Sequence, residues 1–136
     1  MRRVACVLSM ICVLLSASRL VAADMVGLEL NTAESADNRC RLTFVIENKT
    51  ERALDSFKLD LALFNPEGII QRRMVIEMGP VRGQKTTVKT FSAEGDCGQV
   101  GAILINDVTA CAPPDPGACL DGLTLSSRSK AIRLYK

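Results

Sequence analysis

The sequence predicts an all-β fold, an antiparallel sandwich of about seven short strands held by two disulfides. Three observations carry this. Apolar residues recur at every second position through the middle of the 136-residue chain. Pro, Gly, Asn and Asp punctuate those runs at turn-like intervals. Four cysteines remain once an export leader is set aside.

That leader comes first. Met1-Arg2-Arg3, an apolar run over residues 4–15 and the small-residue ending Val21-Ala22-Ala23 are the three parts of a secretory signal peptide. The run is shorter than the roughly 20 residues that a membrane-spanning helix needs. The expected division is therefore residues 1–23 as signal peptide and 24–136 as one sandwich domain, periplasmic or secreted, with no integral membrane span. Arg2-Arg3 serves as an ordinary basic start or as half of a twin-arginine signal, and the two export routes stay open. Cys12 follows Met10-Ile11 where a lipoprotein would need a small residue. Loss of Arg2, Arg3 and Arg19 takes the net charge from +2 to about −1, and nothing in that balance favours nucleic acid.

The strands follow in order. Val26, Leu28 and Leu30 alternate with Gly27 and Glu29. Cys40, Leu42, Phe44 and Ile46 alternate with Arg41, Thr43, Val45 and Glu47. Phe57, Leu59, Leu61 and Leu63 alternate with Lys58, Asp60, Ala62 and Phe64. A helix would scatter each set around its cylinder, whereas a strand puts each on one face. Asn65-Pro66-Glu67-Gly68 is a tight turn. Residues 69–78 form the next strand, with Arg72 intruding on an otherwise apolar face; it is expected to snorkel to the rim. Residues 85–91 are β-branched and polar, as suits an edge, and 100–105 are apolar on both faces, as suits a central strand. Leu123 and Leu125 mark a short strand, and Ile132, Leu134 and Tyr135 a final short segment.

Cys40, Cys97, Cys111 and Cys119 in an exported domain predict two disulfides. Zinc is disfavoured because the chain has no His and no close Cys pair. Following the strands up and down places Cys40 and Cys97 at one end and Cys111 and Cys119 at the other, which gives Cys40–Cys97 with Cys111–Cys119. The decisive point is Asn106-Asp107. If that pair is a hairpin turn instead of a bulge, the pairing becomes Cys40–Cys111 with Cys97–Cys119.

Two cysteines 57 positions apart on sandwich-traversing strands resemble the immunoglobulin- or fibronectin-like architecture. The chain departs from antibody-type domains in lacking a Trp to pack on the bridge and a Tyr before Cys97. The Leu63-Phe64-Asn65-Pro66-Glu67-Gly68 turn and the segment Ile103-Leu104-Ile105-Asn106-Asp107-Val108-Thr109-Ala110-Cys111 are similar to small bacterial periplasmic proteins. That resemblance implies a compartment and brings no activity with it.

Absence of His removes Ser-His-Asp and Cys-His catalysis. Asp115 and Asp121 flank Cys119, and Glu94 and Asp96 flank a turn; these read as solvated loop acids. Asn48-Lys49-Thr50 fits a glycosylation sequon but reads as a polar turn. No catalytic residue, cofactor or metal site is expected. The expected role is a noncatalytic binding or scaffolding module of the cell envelope. An accessory or chaperone-like subunit is the alternative, and an enzyme using carboxylates a third reading. The partner would be another envelope protein or a second copy. If residues 57–64, 100–105 and 123–125 share a sheet, its outward face carries Ala62 and Phe64 and is too apolar to stay bare. Ile132, Leu134 and Tyr135, laid across it as a tail, complete the candidate surface.

Overall fold

The computed structural model describes residues 25–113 and 115–136; the leader expected over residues 1–23 lies outside that range. Eight strands form two four-stranded sheets packed face to face, with orders β5-β2-β1-β7 and β4-β3-β6-β8. The strands are β1 (Val26–Ala36), β2 (Arg39–Asn48), β3 (Ser56–Phe64), β4 (Ile70–Glu77), β5 (Thr86–Glu94), β6 (Ala102–Ala112), β7 (Leu123–Ser127) and β8 (Arg133–Tyr135), with a short α-helix, α1 (Pro116–Asp121), and a 3-10 turn over Cys97–Gln99.

The alternation read from the sequence is the burial pattern of the fold. Leu42, Phe44 and Ile46 of β2 and Phe57, Leu59 and Leu61 of β3 are all buried, as are Val26, Leu28 and Leu30 of β1. These faces meet in one aliphatic core built around Phe44 and Phe57. Asp37 and Asn38 join β1 to β2, both with positive φ, the conformation of a two-residue hairpin turn that twists with its strands.

Both disulfides of the first scheme are present. Cys40–Cys97 joins the start of β2 to the turn before β6, with Cα atoms 4.7 Å apart, and Cys111–Cys119 ties the end of β6 to α1. Asn106-Asp107 is a bulge. Asp60 pairs with Asp107 and Leu61 with Ile105, leaving Asn106 as the extra residue, and β6 continues unbroken to Ala112. On the chain-entropy view the 57-residue loop contributes about 4 kcal/mol and the shorter one about 2.5 kcal/mol. Such pairs suit an oxidising compartment.

Three expectations need correction. Among the described residues there are eight strands, since the tail segment forms β8. β7 does not join the sheet of β3 and β6; it pairs with β1 instead, in parallel register from Val26↔Leu123 to Leu30↔Ser127. β8 pairs with β6, also in parallel, so the sandwich is antiparallel except along this one side. The reason is α1. It turns the chain under the sandwich, so β7 starts beside the beginning of β1 and the return stroke, β8, meets β6. Asp115 caps α1 by accepting the Ala118 N–H at 3.0 Å, and Pro116 opens it. At its other end the Lys136 ammonium donates to the carbonyls of Leu120 and Leu123 at 2.7 and 2.6 Å, where a cation also meets the helix dipole favourably.

Candidate interaction surface

Strand pairing sets out the outer face of the β4-β3-β6-β8 sheet in rungs. One rung runs Arg73–Ala62–Leu104–Tyr135, and the next places Phe64 beside Ala102 and Arg133. Ala62 points outward yet is only 3% exposed, because its small side chain is shaded by the longer Arg73 and Leu104 beside it. The Phe64 and Tyr135 rings lie 6.5 Å apart, within the range of favourable aromatic pairing. The Arg133 guanidinium sits 4.3 Å from the centre of the Tyr135 ring, a cation–π contact.

A polar centre interrupts this face. The bulge puts Asn106 and Asp107 on the outside together, between inward-facing Ile105 and Val108. Asp60, buried to 8% exposure, takes an ion pair from Arg73 and a 2.7 Å hydrogen bond from the Asn106 amide on the same carboxylate oxygen. These hydrogen bonds, from Asn106 first and Arg73 second, hold Asp60 below its ordinary pKa of 3.8 against the effect of burial. Such a network fixes the register of the sheet centre and stays ionised on the surface a partner would meet.

The expected surface residues fall into two groups. Phe64 and Tyr135 share the outer face with Ala62 beneath them. Ile132 and Leu134 do not, being buried at 1% and 8% exposure. The tail adds a strand at the sheet edge instead of lying across the face, so alternation turns Leu134 into the core and Tyr135 out. Arg133 is the member that sequence reasoning missed, and its signal was its position two residues before Tyr135 on a strand.

Three of the four loop acids have structural duties. Glu94 bonds Arg72 at 2.7 Å, the rim contact expected of that inward-facing arginine, and its pKa is lowered by that hydrogen bond. Asp96 accepts the Gly98 N–H at 2.7 Å, and Asp115 caps α1. Asn48 is wholly buried. Its amide donates to the carbonyls of Arg52, Val81 and Arg82 and its oxygen accepts from Thr50, which clamps the 49–55 and 79–85 loops together. Among the described residues no three metal-ligating side chains converge, and no helix is long and apolar enough to cross a membrane.

The opposite face, on β5-β2-β1-β7, has a groove of about 510 Å³ over Gly27. Its cross-strand neighbours are Thr124, Glu47 and Thr86, and of its two carboxylates Glu29 is engaged by Asn31 and Arg128 at 2.8 and 2.9 Å.

No family model matches the chain, and no curated protein matches it in sequence. Among solved structures it is similar to IrmA from Escherichia coli, with a TM-score of 0.55 at 14% identity, over 74% of this chain and 90% of IrmA. At that identity the likeness shows a shared fold with a small bacterial protein and nothing more.

Proposed function

We propose that this protein is an exported, noncatalytic binding module of a bacterial cell envelope, and that its partner docks on the outer face of the β4-β3-β6-β8 sheet. The observation that carries the reading is the cluster of Phe64, Tyr135 and Arg133 on that face. Aromatic residues and arginine dominate the energetic centres of protein interfaces, and here all three lie on one sheet face, Phe64 on β3 and Arg133 and Tyr135 on β8, with β6 between them. The disulfides and the leader-like residues 1–23 support the compartment. The disulfide between β2 and the turn before β6, with β3 and β6 paired in the facing sheet, supports placing the sandwich in the immunoglobulin-like class.

Two measurements test this. Intact mass of periplasmic protein is expected to give an N-terminus at or near Asp24; the uncleaved chain in the inner membrane would refute export. Affinity capture from the native envelope fraction is expected to yield a partner that Phe64→Glu abolishes and Thr90→Glu, on the opposite face, retains. Equal loss from both variants, or loss from neither, refutes the docking face.

A further inference from the structure

Above Phe64 and Tyr135 the outer face opens into a pocket of about 450 Å³, and its polar groups are one-sided. Arg133 lies over the Tyr135 ring, and among the described residues its guanidinium makes no ion pair or hydrogen bond. Asn65 accepts the Ile69 N–H on its side-chain oxygen at 2.8 Å, while its amide nitrogen, like the Tyr135 hydroxyl, has no protein partner among the described residues. No Asp or Glu lines the pocket. Donors therefore gather in an aromatic-walled pocket that contains no matching acceptor charge.

Resting on the docking face proposed above, we propose that this pocket binds a carboxylate carried on an apolar body, with Arg133 as its bidentate partner. The cation–π contact holds the guanidinium over the Tyr135 ring, which reduces the ordering left when its paired N–H groups meet a planar two-oxygen anion. The apolar body of the ligand lies against Phe64 and Tyr135. Carboxylate fits better than phosphate because the pocket's backbone donors are already used. The Gly68 N–H bonds Asn65 O, the Gly101 N–H bonds Phe64 O, and the Arg133 N–H bonds Gly101 O. A Cβ on Gly101 would stand 2.7 Å from the Pro66 Cα, so the floor is backbone packed on backbone, with no nest of free N–H groups for a dianion.

The test is an NMR amide titration of the mature protein with 3-phenylpropionate and with its neutral analogue, 3-phenylpropionamide. Shifts are expected at Gly68, Gly101, Ala102 and Ala131, with the acid binding about tenfold more tightly than the amide. Arg133→Gln should reduce the acid to the affinity of the amide, and an unchanged melting temperature will show that this exposed substitution leaves the fold intact. Equal binding of acid and amide, shifts elsewhere, or full acid affinity in Arg133→Gln overturns the proposal. Two peptides then identify the source: acetyl-Ala-Phe with a free C-terminus, and amidated acetyl-Phe-Glu, whose acid is a side chain. The inference and the docking reading fail separately. Capture lost in Phe64→Glu beside an unresponsive pocket sinks only the first, and a responsive pocket with capture intact in Phe64→Glu sinks only the second.

Discussion

The two outer faces of this sandwich obey the same alternation and end with different characters. On β5-β2-β1-β7 the outward residues are hydroxyls and charges that bond one another, such as Thr43 with Thr90 at 3.0 Å and Glu29 with Arg128 at 2.9 Å; Val45 and Val88 interrupt them. On β4-β3-β6-β8 the outward residues include Phe64, Leu104 and Tyr135, arranged around a buried carboxylate. Both faces cover equivalent halves of one core, so folding does not require the difference. Period-two patterning demands apolar residues on one side of a strand only, and apolar residues on the other side need another explanation. The partner proposed above would supply it.

The contrast between the faces has meaning only if the sheets are equal on the inside, and the largest expected effects test that equality. Phe44→Ala in β2 and Phe57→Ala in β3 should each destabilise the protein by about 3–5 kcal/mol, read from urea unfolding. Both rings are completely buried, one in each sheet. A loss near zero for either would mean that its sheet is not an equal half of the core, and the contrast between the faces would lose its meaning.

Legibility followed the same division between inside and outside. Strands whose inward face is strongly apolar, such as β2 and β3, stand out in the sequence because burial acts on every second residue. The disulfide pairing was accessible through the same direction-counting, with Asn106-Asp107 as its correctly located weak point. β7 was assigned to the wrong sheet because Leu123 and Leu125 say that one face is buried, without saying which neighbour supplies the hydrogen bonds. α1 was missed in a Pro- and Gly-rich stretch although Asp115-Pro116 carries its start signal. The Asp37-Asn38 turn was equally available, and with it the true length of β1. Of the candidate surface, Phe64 and Tyr135 were legible by alternation. Ile132 and Leu134 went astray because a tail crossing a face and a tail extending an edge present the same residues in opposite directions.

A smaller effect contrasts the carboxylates of the two faces. Hydrogen bonds from Asn106 and Arg73 lower Asp60, and hydrogen bonds from Asn31 and Arg128 lower Glu29. A carboxylate with a depressed folded pKa contributes its stability above its ordinary value, 3.8 for Asp60 and 4.5 for Glu29, and loses it as pH falls through the folded value. Unfolding midpoints are therefore expected to fall below about pH 4, and Asp60→Asn and Glu29→Gln should each flatten part of that fall. Salt separates them. The Asp60 side chain is 12% exposed and that of Glu29 26%, so high salt should diminish the contribution of Glu29 more. Equal salt sensitivity would show that the polar centre of the docking face is no more sheltered than the opposite surface.

The smallest expected effect is the strictest test of the contrast. Val88 is 60% exposed on edge strand β5, and viewed alone it is an exposed apolar residue of the kind that marks an interface. Its surroundings argue otherwise. Thr86, Thr90 and Ser92 share its side of the strand, and Lys89 beside it points toward the core and reaches Gly79 O at 3.4 Å. An inward-pointing charge on an edge strand discourages pairing with another chain. Isolated exposed apolar residues are ordinary on protein surfaces. Val88→Lys is therefore expected to change stability by no more than about 0.5 kcal/mol and to leave partner capture at the wild-type level, measured beside Phe64→Glu in the same experiment. Capture lost in Val88→Lys would place the docking surface on the face that looks water-adapted, and the half-buried aromatic residues on the other sheet would then need a different cause.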